Sequence, residues 1–175
     1  MQKYIILTLL TFSFLLGHEA DHIIFTQITI TPDEAEVIAI YNPTDDPINL
    51  SNYYLSDVQS YYELPTSFGS SDFIARFPDI NINSEQTLLI SIKDESSFNN
   101  YYSYNPDLTL TDDMLDAVDG QSTIGSSAGL SDNFEFLILF YWDGFSSIVQ
   151  DVDYFVWGFG QAGINKTGEE GYYPD

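Results

Sequence analysis

The residues able to do chemistry in this chain are few in type and uneven in place. Its two histidines, His18 and His22, both stand near the start. Cleavage of a leader after Gly17 would make His18 the first residue, and an N-terminal histidine with a second imidazole is the ligand set of a copper brace. That set needs the second histidine held opposite by the fold. His22 lies in the same short segment, so the pair is read as inert. A Ser–His–acid triad fails for the same reason, because neither histidine belongs to a core-forming stretch. With no cysteine, a disulfide framework and a thiolate metal site are both excluded.

Carboxylates are the abundant chemical group. The chain of 175 residues carries 27 acidic against 4 basic side chains, a formal net charge of −23. Such a surface repels phosphate backbones and anionic headgroups, which disfavours nucleic acid and membrane surfaces as partners. Hard cations seek several oxygens on a flexible loop, and Asp112, Asp113, Asp116 and Asp119 ahead of Gly120 are the calcium candidate. The spacing is not that of an EF-hand loop, and no other cofactor is expected. Asp151 and Asp153 share a strand face by their spacing, but a glycosidase pair needs an enclosure that the sequence does not supply. Asp45 and Asp46 read as a solvated turn.

Aromatic residues are the third resource: 13 Tyr, 13 Phe and 2 Trp. Tyrosine pairs occur at 53–54, 61–62 and 101–102. Where the backbone is extended, each pair points one ring to either face. Packing between sheets is one use of such rings. The other is a platform that stacks on sugar or docks a protein, for which Tyr53, Tyr61 and Trp142 are the candidates. No phosphate-cradling glycine loop and no basic patch is present.

The elements that must position these groups read as strands. Residues 1–17 are a leader: one lysine, then an apolar run too short to span a bilayer. Residues 23–31 alternate, with Ile24, Thr26, Ile28 and Ile30 on one side. A strand at 36–41 follows, then the Asn42-Pro43 turn, a bent strand over 48–57, and a continuation at 58–62. An edge segment at 80–82 precedes a central strand at 88–92. One short helix is expected near 96–104, capped by Ser96 or Ser97 and ended by Asn105-Pro106. An acidic loop fills 111–131. The continuous apolar run at 134–141 demands cover on both faces. A hairpin loop at 142–145 returns the chain into a strand at 148–157, with Ile148, Val152, Tyr154 and Val156 on one face and Asp151 and Asp153 on the other. Many short strands with little helical periodicity predict an all-β sandwich.

The order of four weak motifs resembles the lamin-tail domain. They are the strand Glu36-Val37-Ile38-Ala39-Ile40-Tyr41 closing on Asn42-Pro43, then Ile48-Asn49-Leu50-Ser51 with Leu55-Ser56-Asp57, then Phe77-Pro78 before Leu88-Leu89-Ile90, and Gly129-Leu130-Ser131-Asp132-Asn133 ahead of the last hairpin. Ala39 stands where that family commonly has a second acid, and Tyr53 where it has tryptophan. The resemblance covers about residues 22–158 and implies an immunoglobulin-like sandwich, with 159–175 a linker or the start of a further region. It also implies a secreted or cell-surface module without catalysis, structural or adhesive, whose partner is a protein or a surface glycan. The mature chain is expected not to insert into a membrane. The alternatives are an accessory domain of an exported nuclease- or phosphatase-type hydrolase whose catalytic part lies beyond residue 175, and a carbohydrate-binding module.

Overall fold

The computed structural model describes residues 20–64, 73–117, 119–125, 128–158 and 163–172. The expected leader and His18 lie outside them. In chain order the strands are β1 (Ile24–Thr29), β2 (Val37–Tyr41), β3 (Ile48–Asn49), β4 (Tyr53–Ser56), β5 (Ile74–Arg76), β6 (Asn81–Ile82) and β7 (Thr87–Ser91). Helix α1 (Glu95–Tyr102) follows, then β8 (Leu108–Thr109), β9 (Leu115–Asp116), β10 (Glu135–Tyr141) and β11 (Gln150–Trp157). Two sheets form, ordered β1-β2-β7-β8 and β11-β10-β4-β5-β9, while β3 and β6 pair as a short ribbon. The fold is an all-β sandwich with one short helix. Among the described residues no helix is long and apolar enough to cross a membrane.

Alternation builds the core. Ile38, Ile40, Leu88 and Ile90 from the first sheet meet Leu55, Ala75, Leu137 and Leu139 from the second in one buried cluster. The intervening β10 residues Phe136, Ile138 and Phe140 point the other way, into a second cluster with Tyr54, Ile74, Val58 and Tyr61. Phe136, Leu137, Ile138, Leu139 and Phe140 are therefore all buried, which explains why this strand carries no polar face. The outer cover comes from a 3-10 turn (Tyr61–Glu63) and from Ile164 and Tyr172. Those last residues lie in the stretch expected to be a linker.

The Tyr-Asn-Pro turn is a hydrogen-bond hub. Asn42 has no exposed surface. Its amide NH₂ donates to the carbonyls of Asp46, Ile82 and Asn83 at 2.8, 3.2 and 3.2 Å, and its Oδ1 accepts from Thr44 N and Oγ1 at 3.0 and 2.7 Å. Burying the turn this way leaves no side-chain amide group unsatisfied.

Two single-residue bulges overturn faces read from simple alternation. In β1, Phe25 pairs with Ile40 but Gln27 pairs with Ala39, so Thr26 is the extra residue. Phe25, not Ile24, then joins Ile28 and Ile30 against the core. In β11, Leu139 pairs with Asp153 and Phe140 with Asp151, which makes Val152 the extra residue. Asp151 and Asp153 consequently leave on opposite faces, as bulges re-aim side chains. Asp153 Oδ2 accepts from the Phe25 amide at 2.6 Å, tying the edge strand of one sheet to that of the other.

Three local boundaries also differ from expectation. The segment after Asp57 leaves the sheet and forms the 3-10 turn, so Tyr61 and Tyr62 are not an extended pair. Helix α1 is capped by Asp94, whose Oδ1 accepts from Ser97 N at 3.0 Å, because an aspartate at that position satisfies a free helix N–H. The final hairpin loop runs from 142 to 149, twice the expected length, with Asp143 Oδ1 accepting from Phe145 N and Ser146 N at 2.9 and 2.7 Å.

Candidate functional site

The three expected platform residues occupy three different places. Tyr61 is fully buried, its ring tilted 41° against Phe140 with centroids 5.0 Å apart, and cannot take part in an exposed platform. Its hydroxyl donates to Asp151 Oδ1 at 2.5 Å. Burial first, then the Asp151 hydrogen bond, push its phenol well above the ordinary range. Trp142 lies half-buried over Tyr54, centroids 6.2 Å apart, and its indole N–H donates to the Ser146 carbonyl at 2.9 Å. Tyr53 packs at the end of the inner core. The coplanar row that would suit a flat sugar-binding surface is not formed by these three.

The buried Tyr61 belongs to a strap. Lys166 pairs with Asp151 and lies 5.0 and 4.7 Å from the ring centroids of Tyr61 and Tyr172, both within cation–π reach. The Tyr172 hydroxyl accepts from Val149 N at 2.9 Å. These contacts fasten residues 164–172 across the outer face of the second sheet.

The calcium candidates accept hydrogen bonds within their own loop. Asp113 Oδ2 accepts from Thr109 N and Oγ1 at 2.7 and 2.8 Å. Asp112 Oδ2 accepts from Thr111 Oγ1 at 3.2 Å. Asp116 Oδ1 accepts from Asp119 N at 3.2 Å. Asp119 accepts from the hydroxyl of Ser122 at 2.5 Å and from the amides of Gln121 and Ser122 at 2.9 and 2.8 Å. The Ser122 hydroxyl, then those amides, hold the Asp119 carboxyl below its usual range. Among the described residues no three His, Cys, Asp or Glu side chains converge on a possible metal position. The four aspartates act as turn formers, which is what Asp does best in loops.

Among the described residues, polar and aromatic groups face outward in several places, and two of these involve tyrosine pairs singled out from the sequence. The first is a depression of about 480 Å³ at the end of the sandwich, lined by His22, Tyr53, Tyr141, Gln150, Asp151 and Val152. Tyr53 pairs with Tyr141 and Tyr141 with Gln150, so the three stand in one row across β4, β10 and β11. The two rings meet edge to face, 5.4 Å apart at 73°, and burial with Tyr141 beside it raises the Tyr53 hydroxyl above its ordinary value.

The second surface flanks α1. Phe98 is fully buried and packs 4.5 Å from Tyr102 and 5.4 Å from Tyr104, while Tyr101 and Tyr102 stand 4.9 Å apart. Tyr102 donates its hydroxyl to the Ala35 carbonyl at 2.9 Å. Tyr101 and Tyr104 are left 53% and 49% exposed. Ser103, at φ 63°, turns the chain between them. Sequence reasoning noticed the 101–102 pair but not that its outer ring and Tyr104 would be the exposed ones. The helix ends at Tyr102 and Ser103 takes a left-handed turn, so helical spacing does not carry on to Tyr104.

Among the described residues, the lysine and arginine side chains reach neither surface as free charges. Arg76 donates to the Ser51 carbonyl at 2.6 Å, Lys93 meets Glu36 at 3.0 Å, and Lys166 is held in the strap. All three cations among the described residues are thus committed to internal contacts, and the remaining surface is anionic. No family model and no curated protein matches the chain. The fold and surfaces define an acidic all-β sandwich module.

Proposed function

We propose that this chain is an exported, non-catalytic sandwich module of lamin-tail type that works by holding a partner at its surface. One observation carries the reading: Tyr101 and Tyr104 are half exposed yet fixed in place by Phe98, Tyr102 and the Asp94 cap. Large rings held rigid in water suit a contact surface, because little entropy is lost when a partner covers them. The reading is tested with labelled protein applied to intact cells of the producing organism. Wild type is expected to be retained and Tyr101→Ala/Tyr104→Ala to lose at least tenfold in retention. Equal retention of the two refutes it. N-terminal sequencing of the exported protein is expected to begin at His18.

A glycan-binding reading is favoured by one separate feature, the Tyr53–Tyr141–Gln150 row in the sandwich-end depression. An aromatic face beside an amide offers both stacking and hydroxyl recognition. Binding of neutral oligosaccharides that disappears in Tyr141→Ala would support it. The role of accessory domain to an exported nuclease- or phosphatase-type hydrolase is the remaining alternative, and the reading frame beyond Asp175 decides it.

A further inference from the structure

We propose that the Tyr101/Tyr104 surface binds a Lys- and Arg-rich segment of a partner polypeptide; this names the partner of the surface-module reading and rests on it. Residues 99–105 read Asn-Asn-Tyr-Tyr-Ser-Tyr-Asn, the mixture of rigid aromatic anchors and adaptable polar groups found in evolved binding loops. The anchors are pre-set: Phe98, Tyr102 and Tyr104 form one packed group of rings, with Tyr102 and Tyr104 5.7 Å apart. Asn99 donates to Asn105 Oδ1 at 2.6 Å, and Asn105 in turn donates to Glu95, so the turn after the helix is braced.

Charge selects the partner. Glu95 and Asp94 precede the rings, Asp107 follows them, and all three are exposed. The 3-10 turn Asp33–Ala35 packs against α1 and adds exposed Asp33 and Glu34. The neighbouring cation, Lys93, is turned away: its ammonium donates to the Ala128 carbonyl at 2.6 Å and meets Glu36. Five exposed acidic side chains therefore lie on or beside the elements that carry the rings. Guanidinium groups stack on tyrosine faces and pair with carboxylates, so both parts of the surface favour the same side chains. A net charge of −23 repels acidic partners. Two separately exposed rings suit several cations carried on one backbone, each ring taking one.

The test uses a fluorescein-labelled ten-residue peptide of alternating Arg and Ser, with an alternating Glu and Ser peptide as control, at 0.15 M NaCl. Anisotropy is expected to report binding of the Arg peptide alone. Tyr101→Ala/Tyr104→Ala should weaken it at least tenfold, while Tyr101→Phe/Tyr104→Phe, which keeps the ring faces, stays within twofold of wild type. Asp45→Asn/Asp46→Asn removes two charges from a distant turn and should also stay within twofold. Amide shifts in a labelled sample should concentrate in residues 94–107. An unchanged affinity in the alanine double variant, or an Arg peptide that does not bind, overturns the proposal. Tyr101-dependent retention on cells without Arg-peptide binding removes this inference and leaves the module reading standing; absence of both removes both.

Discussion

Lys93→Met is the perturbation whose consequence follows most directly from the structure. Glu36 is buried, its side chain 1% exposed, and Lys93 is 19% exposed. Oε1 accepts from Leu130 N at 2.8 Å, and the Lys93 ammonium stands 3.0 Å from Oε2. Burial is the largest influence on Glu36 and raises its pKa above 4.5, against the pull of Lys93 and the Leu130 amide. Methionine keeps the apolar stem and removes the charge. Breaking a buried pair costs about 3–5 kcal/mol, but the orphaned carboxylate has an escape, since it can bind a proton. Protonating a group of ordinary pKa 4.5 at neutral pH costs roughly 3.4 kcal/mol at about 1.36 kcal/mol per unit, and this caps the charge penalty. The cap falls to about 0.7 kcal/mol near pH 5.

The lost Lys93–Ala128 hydrogen bond adds about 1 kcal/mol at either pH. Expected deficits are therefore about 3–4 kcal/mol near pH 7 and about 1–2 kcal/mol near pH 5. The sign agrees with the raised pKa: folded protein binds the Glu36 proton more tightly than unfolded chain. That contribution is full below the unfolded value and is lost as pH rises through the folded one. Urea melts followed by tryptophan fluorescence measure it, taken as the difference between wild type and variant so that the other carboxylates cancel. A deficit below about 1 kcal/mol near pH 7, or one equal at both pH values, would refute the reasoning.

The remaining predictions concern the strap, the hub, the surface charge and one glycine. Tyr61→Phe should cost about 1–2 kcal/mol, since Asp151 stays open to water, while Tyr61→Ala should cost about 3–5 kcal/mol; denaturant midpoints separate the two, and a larger loss for Phe than for Ala contradicts the packing role. Asn42→Ala should cost about 2–3 kcal/mol by leaving Thr44 and the carbonyls around it without partners, read by the same melts. Because the described cations are internal, the melting temperature should climb between 10 mM and 1 M NaCl as screening relieves self-repulsion, and CaCl₂ at matched ionic strength should add nothing further. Gly158 lies at φ 77°, and an added Cβ would meet the Asn133 carbonyl oxygen at 2.1 Å; Gly158→Ala should lower stability by well over about 1 kcal/mol in thermal melts.

Much of the architecture is local and was therefore readable. The all-apolar run of β10, the alternation of β2, the Asn42-Pro43 turn and the short α1 each follow from neighbouring residues, and together they imply a sandwich. The lack of cysteine excluded disulfides and thiolate metal sites in the same way. Tyr53 was legible as a strand residue because the pattern around it is local.

Tertiary structure decided which aromatic rings face water, and here local patterns had no purchase. Tyr61 is buried because residues 164–172, a hundred positions later, cross over it with Lys166 and Tyr172. The bulges at Thr26 and Val152 arise from pairing with partner strands, and each moves every following side chain to the other face. Tyr141 enters the sandwich-end row only through its register with Tyr53 and Gln150. Composition by itself determined an acidic, aromatic-rich β protein. Which tyrosines became core, clasp or contact surface was decided by burial, because burial depends on segments distant in sequence.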